Sequence, residues 1–336
     1  MREKREIRTV LTTVPYTDWH LDRLREAFEP AKLIHADKSD RAGISAALKE
    51  ADVAVLGGDL DDQILKEGVH LKWIHCDHSG INNSARPEIF ERGIILTGSA
   101  GRSAPVLAEH ALYLTLSLVY NAYGLLEDQR AHRWKGIPGY ESVKGLYSKT
   151  MGIVGIGHTG RQLAVHAKAM GMRILGYDRD VADVPPGVDK LYFAQRGETV
   201  DELLRESDVI VLCVRMSDAT FHMVGKKQLE MMKSTAYLIN IGRGPLVDTP
   251  ALIDALKEGV IAGAGLDTFE QEPLPPESPL WDAPHTVLTP HCTPEVPDLA
   301  ASSQRIIFEN IRRYRDGEPM LNAVDFRDVY TKQTSA

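Results

Sequence analysis

Met151-Gly-Ile-Val-Gly-Ile-Gly-His-Thr-Gly160 runs a short apolar stretch into three glycines, Gly155, Gly157 and Gly160, and Asp178 stands eighteen residues further on. Between them lie an amphipathic segment, Arg161 to Met170, and a second apolar run, Arg173 to Tyr177. The order is strand, tight glycine turn, helix, strand, acid. In that layout a helix N-terminus can hold a pyrophosphate while a carboxylate grips a ribose. Three spaced glycines alone would be weak evidence, and the complete βαβ setting gives them their weight. The loop also sits mid-chain, so the 150 residues before it need a separate role. A chain of 336 residues has room for that, because this length favours two domains.

Apolar runs and helical patterns alternate on both sides of the loop, the signature of an α/β architecture with parallel sheets. Before it, strands are read at Thr9–Val14, Lys32–His35, Val53–Leu56, Lys72–Cys76 and Ile94–Thr97, with helices at Asp18–Phe28 and Ile44–Glu50. From the loop onward, strands at Met151–Val154, Ile174–Tyr177, Val209–Val214, Tyr237–Ile241 and Ala264–Asp267 alternate with helices such as Val200–Glu206, Lys227–Met232 and Pro250–Glu258. Ser103-Ala-Pro105 opens a long helix, with serine as cap and proline in the first turn, and Leu107, Ala111, Leu114 and Leu118 recur at helical spacing. Residues 133–149 read as a connection, and a last helix, Leu299–Asp316, is expected to pack back on the first domain. The expected fold is therefore two Rossmann-like, doubly wound parallel-sheet domains with a cleft between them. Residues 1–118 with 299–336 would form a discontinuous substrate domain, and 119–298 the dinucleotide-binding domain.

Composition narrows the function. With 43% hydrophobic and 26% charged residues the chain can bury substantial cores. A net charge of −8 argues against an electrostatic grip on nucleic acid or an anionic membrane. The charged stretch Met1 to Arg8 has no apolar segment behind it, so no signal peptide or membrane span is read and a cytoplasmic location is expected. Cys76, Cys213 and Cys292 lie far apart without a CxxC, which leaves neither a disulfide framework nor a metal ribbon to expect.

The residues that carry chemistry follow apolar runs. Asp178 ends the second strand of the glycine unit, where a carboxylate accepts both ribose hydroxyls and repels a 2′-phosphate, so NAD is expected ahead of NADP. Arg243, in Asn240-Ile-Gly-Arg243-Gly, stands past another strand, where a guanidinium fork can pair with a carboxylate and polarise a neighbouring carbonyl. Read alone it could equally be a surface arginine; the flanking Gly242 and Gly244 favour close approach of a ligand. Three acids follow in Asp267-Thr-Phe-Glu270-Gln-Glu272, and one carboxylate there could orient a histidine and raise its pKa. His291, in Thr289-Pro-His291-Cys, again lies just past an apolar run, although a lone histidine is more often structural.

Together these motifs resemble the D-isomer-specific 2-hydroxyacid dehydrogenase family over nearly the whole chain. The loop Gly155–Gly160, Asn240-Ile-Gly-Arg243-Gly, Asp267-Thr-Phe-Glu270-Gln-Glu272-Pro and Thr289-Pro-His291 match in order, and the ordered set is far more specific than any member. The resemblance implies that Arg243 binds the substrate carboxylate and carbonyl, that His291 is the general acid and base, and that Glu272 is its partner. It implies that Asp267 holds the nicotinamide carboxamide, that His158 and Thr159 meet the pyrophosphate, and that Val214 and Ile241, with Gly242 beside them, line the cofactor. Ser79-Gly80 matches a turn whose backbone N–H groups cradle the carboxylate. The resemblance also implies a homodimer formed largely through the nucleotide domains. The implied reaction is NAD-dependent interconversion of a 2-oxo acid and a D-2-hydroxy acid.

Departures narrow the substrate. Glutamate at Glu272 argues against formate dehydrogenase, Ser79 replaces the lysine of phosphite dehydrogenases, and Cys76 replaces an arginine that phosphoglycerate dehydrogenases offer their substrate. A small 2-oxo acid with a neutral or modest side chain remains. Pro294 removes a backbone N–H near His291, and Arg215 is either a solvated arginine at a strand end or a neighbour of the adenosine end that would weaken the case against NADP. A dinucleotide-sensing corepressor on the same fold is the alternative, since such proteins can keep the same three residues.

Overall fold

The computed structural model describes residues 4–331, except 135–136, 138–139, 141–142 and 182. Residues 1–3 of the charged N-terminal stretch, 332–336 of the polar tail and part of the 133–149 connection thus lie outside the described residues. The chain divides into two compact units, 1–103 with 295–336, and 104–294.

The first unit comprises β1 (Thr9–Thr12), α1 (Asp18–Phe28), β2 (Lys32–His35), α2 (Arg41–Leu48), β3 (Val53–Leu56), α3 (Asp62–Glu67), β4 (Trp73–Cys76), α4 (Pro87–Glu91) and β5 (Ile95–Gly98). The second comprises α5 (Ala104–Val119), α6 (Ala122–Arg130), β6 (Thr150–Val154), α7 (His158–Ala169), β7 (Arg173–Asp178), β8 (Lys190–Phe193), α8 (Asp201–Glu206), β9 (Val209–Leu212), α9 (Lys226–Met231), β10 (Tyr237–Asn240), α10 (Thr249–Lys257), β11 (Gly263–Leu266) and β12 (Thr286–Leu288). The chain then returns to the first unit with α11 (Leu299–Arg315).

Both units carry an all-parallel sheet, ordered β2-β1-β3-β4-β5 in the first and β12-β11-β10-β9-β6-β7-β8 in the second. Two Rossmann-like α/β units are therefore present, as the alternating pattern predicted. Central strands such as Val53–Leu56 and Val209–Leu212 are buried at every position, which is why they read as unbroken apolar runs. In the second sheet the chain order reverses between β6 and β9, with Met151 registered on Val209. Ligands of open α/β sheets bind beyond the carboxyl ends of the strands at such a reversal.

In the first unit α11 packs on the sheet. Ile307, Ile311 and Tyr314 are buried against Val10, Val53, Val55 and Trp73, and Tyr314 stacks on Trp73 with ring centres 5.6 Å apart. The long helix α5 differs from the sequence assignment, which put 104–118 in the first domain. Ala111, Leu114 and Leu118 join Met151, Ile153 and Ile239 in the core of the second unit. Because α5 is apolar on more than one face, its periodicity alone could not say which sheet it covers.

Candidate active site

Three strand ends meet around the glycine loop. Gly155 has φ +97°, and a β-carbon there would lie 2.8 Å from the backbone of Cys213 and Val214. A β-carbon on Gly160 would overlap the Gly155 carbonyl, so two of the glycines exist for close backbone packing. Gly157 is different: a β-carbon there would meet nothing within 4 Å. The helix α7 starts immediately after it, with no side-chain cap on its first amides and no acid in its first turn. An open surface over amides of this kind suits a pyrophosphate, with His158 and Thr159 opening the helix.

Asp178 makes bonds that the motif did not announce. Its Oδ2 accepts the Ile156 N–H at 2.7 Å, and its Oδ1 accepts the N–H groups of Asp180 at 2.8 Å and Val181 at 3.0 Å. The acid thus fastens the glycine loop to the end of β7. These bonds occupy three of the roughly four acceptor positions of a carboxylate, leaving room for one ribose hydroxyl. Arg179 pairs with Asp180, Nη2 to Oδ2, at 2.8 Å.

Val214 is half-buried after β9, and Ile241 is buried after β10. A β-carbon on Gly242 would sit 3.2 Å from the Val214 carbonyl oxygen, which places the two turns side by side. The next residues form the arginine loop, wrapped around Asn240, whose side chain sequence reasoning did not single out. At 1% exposure, Asn240 donates from Nδ2 to the Arg243 carbonyl at 2.8 Å and accepts the Gly242 N–H on Oδ1 at 3.1 Å. Arg243 is half-buried, and its Nη1 donates to the Gly242 carbonyl at 2.6 Å.

Gly244 couples this loop to the one carrying Glu272. A β-carbon at Gly244 would overlap the Phe269 carbonyl group and crowd the Glu270 nitrogen, so the two backbones touch where only hydrogen fits. Neither backbone can yield cheaply. Gly244→Ala should therefore lower stability by about 3 kcal/mol, the upper end of the usual overpacking cost, and separate Arg243 from Glu272. Urea unfolding and steady-state assays of the folded fraction check this; an unchanged midpoint with full activity would contradict it.

Glu272 and His291 meet across their two loops. Glu272 Oε1 accepts the Phe269 N–H at 2.9 Å, and Oε2 lies 2.8 Å from His291 Nδ1. The two side chains are 35% and 49% exposed, open enough for the imidazole to exchange a proton with a bound molecule. The Glu272 bond raises the His291 pKa above its ordinary value, against burial and the Arg243 charge. Burial pushes the Glu272 carboxyl up, but the bonds from His291 and Phe269 outweigh it and hold the group low. Both shifts favour the charged forms of the pair.

Asp267 is 1% exposed and surrounded by donors. Its Oδ1 accepts the Thr289 hydroxyl at 2.6 Å and the Cys292 N–H at 3.2 Å, while Oδ2 accepts the Thr293 hydroxyl at 3.0 Å. His110 Nε2 lies 3.2 Å from Oδ1. Burial would raise this acid, and the bonds from His110, Thr289 and Cys292 overcome it. His110 escaped sequence analysis because its partner Thr289 stands 179 positions away and the helical pattern around it reads as ordinary core.

Ser79 and Gly80 follow β4 in the first unit, half-buried, with the Ser79 hydroxyl donating to the Ser99 carbonyl at 3.2 Å. The turn is braced from behind. Asp77 accepts the Tyr16 hydroxyl at 2.9 Å and the Ser99 hydroxyl at 2.9 Å, and Arg102 bonds to its carbonyl. Burial pushes the neighbouring His75 down to about 3, so it stays neutral between Thr97 and Ser99. Among the described residues no helix is long and apolar enough to cross a membrane.

The family model "D-isomer specific 2-hydroxyacid dehydrogenase, NAD binding domain" matches residues 112–293. The chain belongs to this family. It is similar to a glyoxylate reductase of Korarchaeum cryptofilum, 33% identical over 316 residues that cover 91% of this chain and 92% of the relative. A D-3-phosphoglycerate dehydrogenase of Methanocaldococcus jannaschii is 30% identical over 95% of this chain and 60% of its own length. A D-isomer-specific 2-hydroxyacid dehydrogenase family protein from Aeromonas salmonicida superposes with a TM-score of 0.77 at 28% identity, covering 96% of this chain and 100% of that one. A Xanthobacter autotrophicus D-isomer-specific 2-hydroxyacid dehydrogenase, solved with NADPH and MES, shares the fold with a TM-score of 0.79 at 24% identity, over 96% of this chain and 99% of that one. This 2-hydroxyacid dehydrogenase is accordingly an oxidoreductase that interconverts 2-oxo and 2-hydroxy acids with NAD(P). The curated relatives named here are enzymes, so the corepressor alternative is not favoured.

Proposed function

We propose that the protein reduces a small, uncharged-side-chain 2-oxo acid, of the glyoxylate or hydroxypyruvate kind, to the 2-hydroxy acid, in the D form where C2 becomes a stereocentre, with NADH preferred over NADPH. The observation that carries this reading is the 2.8 Å His291–Glu272 pair, whose members both sense the Arg243 charge. A bound nicotinamide supplies the hydride for the substrate C2. Arg243 pairs with the substrate carboxylate and stabilises the negative charge growing on the carbonyl oxygen. His291, held by Glu272 at Nδ1, gives that oxygen the proton on Nε2, and the reverse reaction returns it. The backbone N–H groups of Ser79 and Gly80 are assigned to the carboxylate.

His158 and Thr159 are assigned to the pyrophosphate, Asp178 to one ribose hydroxyl, and Val214, Ile241 and Gly242 to the cofactor's flank. Asp267 is assigned to the nicotinamide end; since its oxygens are already engaged, an incoming carboxamide would share or displace the Thr293 bond. The preference for NADH rests on Asp178, a carboxylate tied into the loop at the place where a 2′-phosphate would sit. A homodimer is supported by the large apolar side chains left exposed on and near α5 and α6, namely Tyr113, Tyr120, Tyr123, Leu126 and Tyr147. Cys76, Cys213 and Cys292 are free thiols, which supports a reducing, cytoplasmic setting.

The test follows NADH absorbance with glyoxylate, hydroxypyruvate, pyruvate, phenylpyruvate and 2-oxoisocaproate, repeated with NADPH. Glyoxylate and hydroxypyruvate should react fastest, hydroxypyruvate should give D-glycerate, and kcat/KM should favour NADH by about tenfold or more, as expected for an acid facing a 2′-phosphate. Tight NADH binding with silence across the panel would sink the reading.

A further inference from the structure

We propose that His110 is a positioning residue for His291, acting through Asp267 and Thr289. The proposal rests on the reading of His291 as the general acid. His110 lies on α5 and is 7% exposed, and no step of the reaction uses it. Its Nε2 stands 3.0 Å from Thr289 Oγ1 and 3.2 Å from Asp267 Oδ1. The Thr289 hydroxyl already donates its single proton to Asp267 Oδ1, so toward the imidazole it can only accept. His110 Nε2 therefore carries a proton, shared between hydroxyl and carboxylate.

The other bonds of this cluster frame His291. Asp267 accepts the Cys292 N–H and the Thr293 hydroxyl, and the His291 N–H closes on the Thr289 carbonyl at 2.9 Å. His291 itself is held at φ +50°, a left-handed conformation that is unfavourable for a side-chain-bearing residue and persists only where its surroundings impose it. The buried carboxylate is the template for that turn, and His110 gives it a donor from α5 that the turn cannot supply. Without the imidazole, Asp267 loses a donor where water has little access, so the 289–293 turn must shift to compensate. The shift is felt at His291 Nδ1. The charged groups facing His291 are Glu272, Arg243 and Asp267; Glu272 and Asp267 favour its protonated form and Arg243 opposes it. A turn that drifts from Glu272 loses the larger of the two favourable partners.

The experiment compares pH profiles of kcat/KM for 2-oxo acid reduction in wild type, His110→Ala, His110→Asn and His110→Gln. Glutamine can place its amide nitrogen near the position of imidazole Nε2, whereas asparagine places it near Nδ1. The alanine and asparagine variants should lose about tenfold in kcat/KM at neutral pH, with the alkaline limb moved acidward by about half a unit or more, and glutamine should restore both. A packing role alone would lower melting temperature and active fraction but leave the limb of the folded enzyme in place. Should His110→Ala fail to fold, the asparagine and glutamine variants carry the comparison. An unmoved limb in the folded variants, or asparagine rescuing as well as glutamine, overturns the proposal. A wild-type profile without an alkaline limb instead removes the reading of His291 as the acid, and the proposal with it.

Discussion

His291→Ala should lower kcat for 2-oxo acid reduction by about a thousandfold, within the range of general acid catalysis, while NADH affinity stays within about twofold. On the proposed mechanism the substitution removes the proton that neutralises the new alkoxide, and it leaves Glu272 without the partner 2.8 Å away. It leaves untouched the glycine loop and the Asp178 bonds that shape the dinucleotide site. The pH dependence gives an independent check. On the proposed mechanism reduction needs His291 protonated, and the Glu272 bond raises its pKa, so the wild-type rate should be full below that pKa and fall as pH rises through it. Oxidation needs the neutral ring and runs the other way, rising with pH. The alanine variant should lack both limbs. Rapid-mixing kinetics and NADH fluorescence titration measure the two quantities; a variant within tenfold of wild type, or one that keeps the alkaline limb, would show that another group donates the proton.

Arg243→Lys should cost about a hundredfold in kcat/KM although the charge is kept. The guanidinium offers parallel N–H donors to a carboxylate and a neighbouring carbonyl at once, and an ammonium on a flexible stem cannot hold both. Because one contact exists in the ground state and the other strengthens as charge develops, KM should rise and kcat should fall together. The loop needs no rearrangement, since Asn240 fixes it through the Arg243 carbonyl and the Gly242 N–H. Steady-state kinetics with glyoxylate and hydroxypyruvate read the split. A change confined to KM would mean that Arg243 anchors the carboxylate and does nothing for the transition state.

The glycine loop, Asp178 and the parallel sheets were legible because each signal is local: spacing, apolar runs, a turn residue. Strand ends shifted by a residue or two, as with Val209–Val214 against Val209–Leu212. The elements that went unread have weak local patterns. β8 and β12 are short edge strands, and α6 leaves Tyr123, Leu125 and Leu126 exposed, so its apolar residues do not trace a buried stripe. His291, Glu272 and Arg243 became legible as a set only through their order along the chain. Asn240, Gly244 and His110 were harder. Asn240 acts through a loop that has no shape until it folds, Gly244 through a backbone contact with Phe269, and His110 through partners from two distant strand ends. Long-range packing of that kind leaves no periodic mark.

The position of β12 at the margin of its sheet has a thermal consequence. It is a three-residue strand paired, among the described residues, on one side only, to β11, and the turn bearing His291 hangs from its end. The glycine loop instead emerges from β6, flanked by β7 and β9 in the middle of the same sheet. Local opening is easiest where few ladder bonds hold a segment. His291, the proposed proton donor, thus hangs from a strand held by fewer ladder bonds than the strand that carries the dinucleotide cradle. Warming would therefore silence turnover while the protein still held its dinucleotide.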